Sequence, residues 1–462
     1  MKKVICLIII LASLFLVSCA GETPIASTEE TIATTVATTA TSQNEQTTPE
    51  AFVPSGYRLT TLKTIETRSK VLLLDKTVGK QAVVMYYSKA DGEFYPFCFD
   101  PLCDHENFKN NTYKTKCIGN MLYDTQRALT SSEKVFYINS RLYFVFFDKI
   151  YSCSEIATDL RVEVSFSDKM DYYDQLIEYH KNGTSMSGNY YLPIQSFAND
   201  GNILLFIRAD ESGNLDQYAY DTVSKKLINM REKMAEAEKE LGATLYTQSF
   251  DNGKIYMAAY KNVVKTTVRD GMNTRVEGDF VGYYVADYEF KSFSKIDAIP
   301  PINYIFKTND GYVMVNMLDG GSHGEVVKQK YTGETEKLSP EIEFTLIPSY
   351  LFLTEKSLYF YYIERTEIGK DVKDNKRSVY NSYGGKLYKI DLESGEISTV
   401  FDDLNYDMFK ILYIDEKSGY GITSLQLYTI DDGKVTTNGG LLYQFRLDEN
   451  GNIVDLEKVE FE

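Results

Sequence analysis

The stretch Lys386-Leu387-Tyr388-Lys389-Ile390-Asp391-Leu392-Glu393-Ser394-Gly395-Glu396-Ile397-Ser398-Thr399-Val400 sets two runs of alternating apolar and polar residues on either side of a Ser-Gly turn. A period of two puts one face of each run against a core, and glycine supplies the backbone freedom a tight turn needs. The stretch reads as a β-hairpin.

Similar units recur through the chain. Met85-Tyr86-Tyr87-Ser88-Lys89-Ala90-Asp91-Gly92 leads into Glu93-Phe94-Tyr95, and Tyr218-Ala219-Tyr220-Asp221-Thr222 leads into Lys226-Leu227-Ile228. Lys330-Tyr331-Thr332-Gly333-Glu334 and the run from Tyr443 to Gly451 follow the same plan, and Tyr288 to Ser292 follows it more loosely. Upstream of several hairpins sits another turn, as in Asp251-Asn252-Gly253-Lys254 and Glu355-Lys356-Ser357. Two strand pairs per unit make four strands, the count of a propeller blade. The turn positions 91, 221, 292, 333, 395 and 451 keep roughly the spacing of blades with variable loops, with room for an unmarked blade between the first two.

The fold class expected is therefore all-β: a β-propeller of six to eight four-stranded blades, seven favoured, over residues 55–462. Ring closure follows from physics, because a lone twisted sheet cannot bury both faces and an open row of sheets exposes strand edges. A stacked double sheet or a two-domain β protein is the alternative. The hairpin form Tyr-x-hydrophobic-Asp-x-x-[Ser/Thr]-Gly resembles that of extracytoplasmic propellers of the TolB-like type over nearly all of residues 57–460. The chain has no Trp, so it lacks the Trp-containing signatures of better-known propellers, and the resemblance transfers no functional residue. Two stretches, Met170 to Lys181 and Ser224 to Leu241, break the strand rhythm and predict two short helical insertions. The second keeps Leu227, Met230, Met234, Ala237 and Leu241 at helical spacing.

The first residues have a different character. Met1-Lys2-Lys3 precedes an apolar run from Val4 to Val17, too short for the roughly twenty residues a membrane-crossing helix requires. It ends in Leu16-Val17-Ser18-Cys19, which resembles the lipobox of bacterial lipoproteins; the resemblance implies a signal peptide over residues 1–18 and acylation of Cys19. Residues 20–50 contain ten threonines and five glutamates but no Lys, Arg or aromatic residue. Such composition cannot repay the entropy of chain ordering, and residues 19–54 are expected to be a disordered tether with a reach on the order of 30 Å. The expected location is the extracytoplasmic face of a bacterial membrane, held by the lipid anchor. The formal charge of −17 argues against nucleic acid as a partner. A monomer is expected.

The chemically suggestive region is Cys98-Phe99-Asp100-Pro101-Leu102-Cys103-Asp104-His105, followed by Cys117 and later Cys153. The Cys-x4-Cys-x-His cluster is similar to ones in lipoprotein propellers of Gram-positive bacteria. Outside the cytoplasm, four such cysteines suggest two disulfides, with Cys103–Cys117 and Cys98–Cys153 the expected pairs. The first would close a loop of about fourteen residues, for about 3 kcal/mol. The alternative is a structural zinc held by Cys98, Cys103, His105 and Cys117, because thiolate and neutral imidazole both suit that ion. No other cofactor is expected.

Catalytic residues are harder to find. The three histidines, His105, His180 and His323, are far apart in sequence, and no Gly-x-Ser-x-Gly elbow, phosphate loop or His-Glu-x-x-His helix is present. Asp448 to Asn452 and Asp210 to Asn214 have the composition of calcium loops but not their spacing, and read as turns. The sequence thus points away from an enzyme and toward a surface module that binds a protein, peptide or glycan. The alternative is a carbohydrate-active or glycan-capturing protein with a carboxylate pair in the propeller channel.

Overall fold

The computed structural model describes residues 56–58, 64–74, 83–99, 103, 117–119, 122, 135–146, 149–166, 194–209, 215–269, 273–299, 304–307, 311–318, 323–338, 342–343, 351–362, 364–374 and 376–460. The expected lipobox and tether, His105, His180 and the expected helix at Met170 to Lys181 all lie outside these residues.

The strands form seven sheets that follow one another along the chain, antiparallel but for one pair. Blades 1 to 7 span residues 64–96, 135–165, 194–229, 244–296, 304–343, 352–402 and 406–458. The hairpins singled out in the sequence join the third and fourth strands of blades 1, 3, 4, 5, 6 and 7. The unmarked blade is blade 2, whose corresponding turn follows Ser154. In blade 6, Leu358 pairs with Ile390 and Leu387 with Phe401, carrying apolar residues from strand to strand across the sheet.

The recurrent aspartate of the repeat is explained locally. At the end of the third strand, Asp391 accepts from the N–H groups of Glu393 (3.0 Å) and Ser394 (2.8 Å). Asp221, Asp287 and Asp448 cap their own turns in the same way. The carboxylate replaces the partners that turn N–H groups lack.

Side-chain packing closes the ring. One apolar cluster joins blades 1 and 2 through Leu72, Val84, Leu142 and Phe144; others join 2 to 3, 3 to 4, 5 to 6 and 6 to 7. At the last seam, between blades 7 and 1, Tyr87 stacks on Tyr420 at 4.5 Å and Thr64 donates to the Leu412 carbonyl at 3.0 Å. Tyrosine recurs at these joints because its ring is apolar while its hydroxyl can reach a partner across the gap. Tyr220 donates to Glu163 (2.7 Å), Tyr288 to Asp200 (2.6 Å), and Tyr312 of blade 5 to the buried Asp251 of blade 4.

One expected helix is shorter than its sequence suggested. Leu227–Asn229 is the outermost strand of blade 3, paired with Tyr218–Tyr220, and helix α1 (Met230–Leu241) begins only after it. Asn229 sets the boundary: its side chain accepts from the N–H groups of Arg231 and Glu232, and Gly242 ends the helix in the left-handed conformation. Met230, Met234 and Ala237 bury the inner face.

The two ends of the ring differ. In a four-stranded antiparallel blade the first-to-second and third-to-fourth turns lie at one end, and the second-to-third connections and the links between blades at the other. At the first end the turns are tight, such as Asn139-Ser140, Gly201-Asn202 and Asn252-Gly253. At the second, the strands Lys254–Arg269 and Asn273–Asp287 form a long hairpin in blade 4, and Tyr420–Asp431 with Lys434–Leu447 form another in blade 7. The second-to-third connection of blade 6 carries an extra hairpin, Thr366–Asp371 with Ser378–Asn381. It reaches across to blade 7, where Lys370 pairs in parallel with Lys434.

Candidate metal centre

Val84 organises the cysteine region. Its carbonyl accepts from the N–H of Phe97 (2.7 Å), and its own N–H donates to the carbonyl of Gly119 (3.2 Å). The first bond fixes the chain as it leaves the fourth strand of blade 1 at Cys98. The second fixes a helical turn that begins just after Cys117. Gly119 permits this approach, because a Cβ there would stand 2.4 Å from the Phe97 carbonyl oxygen.

The result is convergence. The sulfur atoms of Cys98, Cys103 and Cys117 all lie within 4.8 Å of one another, packed against Val83 and Met85. Cys103 and Cys117 are buried and Cys98 is partly buried. A tetrahedral zinc with Zn–S bonds of about 2.3 Å spaces its sulfurs by about 3.8 Å, so the group is of a size to hold a metal ion. Thiolates in apolar surroundings are costly unless a cation compensates them. Among the described residues this is the one cluster of three or more potential metal ligands of the His, Cys, Asp and Glu types.

The fourth cysteine stands apart from this group. Cys153 pairs with Leu142 across the strands of blade 2, is fully buried in the core shared with blade 1, and has its thiol pushed up to about 12 by that burial. Such a thiol is unreactive. No disulfide joins any of the four cysteines described. The structure therefore gathers Cys98, which the sequence reading paired with Cys153, beside Cys103 and Cys117. His105, the expected fourth ligand, is not among the described residues. The signal that sequence reasoning lacked was the Val84–Gly119 contact, which brings position 117 back to the strand that ends near 98.

Of the remaining residues considered, His323 opens a strand of blade 5 opposite Leu318, and Asp448 to Asn452 is the capped turn its composition suggested. A separate cleft of about 690 Å³ lies between blades 4 and 5, lined in part by Asp251, Tyr256, Ile296, Tyr312 and Tyr331.

Comparison with known proteins gives little beyond architecture. No family model matches the chain, and no curated protein matches it. Among solved structures, it is similar to dipeptidyl peptidase 4 of Porphyromonas gingivalis, with 8% identity, 88% of this chain and 60% of that one covered, and a TM-score of 0.34. It is similar also to TolB from Acinetobacter baumannii (10% identity, 86% and 82% covered, TM-score 0.22) and to YCF48 from Cyanidioschyzon merolae (8%, 86% and 97%, TM-score 0.29). The chain thus spans about three fifths of the peptidase's length. Likenesses this distant transfer no activity; the seven-bladed ring rests on the strand pairing itself.

Proposed function

We propose that the protein is a membrane-anchored, extracytoplasmic propeller that acts as a binding or scaffolding module for a protein, peptide or glycan. The observation that carries this reading is the asymmetry of the ring: tight capped turns at one end, and at the other the long hairpins of blades 4 and 7 and the strap of blade 6. Binding residues concentrate on loops held by a rigid scaffold. The lipobox at Leu16 to Cys19 and the Thr-rich segment behind it supply the anchor and spacer. Replacing the blade 4 hairpin beyond Ala259 and Gly282 with a two-residue turn is expected to leave a folded propeller that no longer retains crosslinked partners from intact cells. Retention of the same partners would defeat the assignment of binding to this end.

The thiol group supports a second, structural role: a zinc ion held by Cys98, Cys103 and Cys117, bracing the long connection between blades 1 and 2. The full chain purified under reducing conditions is expected to carry one zinc, and a chelator is expected to lower its Tm. Cys98→Ser is expected to lose the metal and Cys153→Ser to retain it. A mass two hydrogens light, with no response to chelator, would assign two of the three thiols to a disulfide instead.

A further inference from the structure

The innermost strand of a blade normally leaves one backbone edge facing the channel. In blade 6 that edge is taken. Gly56–Arg58 lies antiparallel to Phe352–Thr354, with Gly56 opposite Thr354, Tyr57 opposite Leu353 and Arg58 opposite Phe352. Its backbone also runs beside the inner strands Tyr304–Lys307 of blade 5 and Tyr406–Asp415 of blade 7. Phe352, Leu353 and Thr354 are all buried.

We propose that the inner edge of blade 6 is a strand-accepting site whose occupant is the chain's own segment Gly56–Arg58, and that this pairing fastens the ring. The antiparallel register gives the direction. The strand Phe352–Thr354 runs toward the tight turn at Glu355-Lys356, so Gly56 lies at the tight-turn end and Arg58 toward the loop end. The chain then enters blade 1 at Thr64 from the loop end.

Two consequences follow. Gly56 lies at the tight-turn end of blade 6, opposite the end that carries the long hairpins of blades 4 and 7 and the blade 6 strap. The segment also joins blade 6 in sequence to blade 1, whose seam with blade 7 is the one that no direct link between blades spans. Its main-chain pairing with blade 6 anchors that connection, by the physics that lets a free peptide add to a sheet edge. The inference stands on strand pairing and is independent of whether the loop end binds a partner.

The test uses the full chain carrying Tyr57→Cys and Leu353→Cys. Mild oxidation is expected to yield a linked 57–353 peptide by mass spectrometry, whereas Tyr57→Cys with Thr399→Cys, on the outer strand of blade 6, is expected to yield no link. In the unaltered protein, the amides of residues 56–58 are expected to exchange many-fold more slowly than in a free peptide, and trypsin is expected to spare the bond after Arg58. Absence of the 57–353 link in a folded protein, or cleavage after Arg58 as fast as in a free peptide, would overturn the proposal.

Discussion

Two desolvated carboxylates show how single residues in this ring can carry opposite electrostatic signs. Glu163 on the outer strand of blade 2 is partly buried, which would raise its pKa, but Lys225, Ser152 and Tyr220 hydrogen-bond to it and hold it below the usual range. A depressed carboxylate contributes stability that is present above its unfolded pKa and lost as pH falls through its folded value. Glu163→Gln is therefore expected to cost about 2 kcal/mol at neutral pH, the scale of hydrogen bonds to a charged group. In urea titrations the deficit should shrink in acid. Asp407 of blade 7 is the reverse case: burial raises its pKa despite bonds from Ser382, Met408 and Tyr428. Its contribution is greatest below the unfolded pKa and is lost as pH rises toward the folded one. Asp407→Asn should thus compare more favourably with the parent protein at neutral pH than in acid, and an unchanged difference would refute the sign.

Elements are defined here by their ends. The helical period of residues 224–241 is visible in the sequence, yet its first turn was assigned too early, because Leu227 and Ile228 fit a strand as well as a helix. Pairing with Tyr218–Tyr220 decided for the strand, and the Asn229 cap started the helix one step later. Asn229→Ala is expected to lower stability by about 1 kcal/mol and to fray the first turn in amide exchange, with little effect elsewhere. Gly119 is the corresponding control point for the cysteine region. A methyl group there would collide with the Phe97 carbonyl, and overpacking of this kind costs roughly 1–3 kcal/mol. Gly119→Ala should also separate Cys117 from Cys98, read as reduced metal content or as changed crosslinking between the two thiols.

At the scale of the whole molecule, the ring is a circular series of similar joints with one distinctive seam. Blades 1 and 7 come from opposite ends of the described chain and meet through the Tyr87–Tyr420 stack and the Thr64–Leu412 bond. Tyr420→Ala removes a large buried ring there, a change that costs about 3–5 kcal/mol for aromatic residues in cores. Amide exchange should then rise first in Lys70–Leu73 and Tyr420–Asp431, the strands flanking that seam, before the blade 3 and 4 strands respond. Uniform loosening of all seven blades would argue against a local seam.

The sequence alone determined the four-stranded unit, its repetition and the turn chemistry. Alternation, Asp and Gly at fixed offsets, and tyrosines facing the joints are local properties that each blade expresses through its own hydrogen bonds. It also named Cys98, Cys103 and Cys117 among the ligands of an alternative metal site, beside the two disulfides it favoured. What it could not decide was which sulfurs meet, because that depends on Val84 receiving Gly119 from a distant segment. Only the tertiary structure placed Cys153 in a separate core, counted the blades at seven by closing the ring, put the long hairpins of blades 4 and 7 and the blade 6 strap at one end, and laid Gly56–Arg58 along the inner edge of blade 6. These are all matters of long-range packing and register, set when separate sheets bury their faces against one another, and no local pattern encodes them.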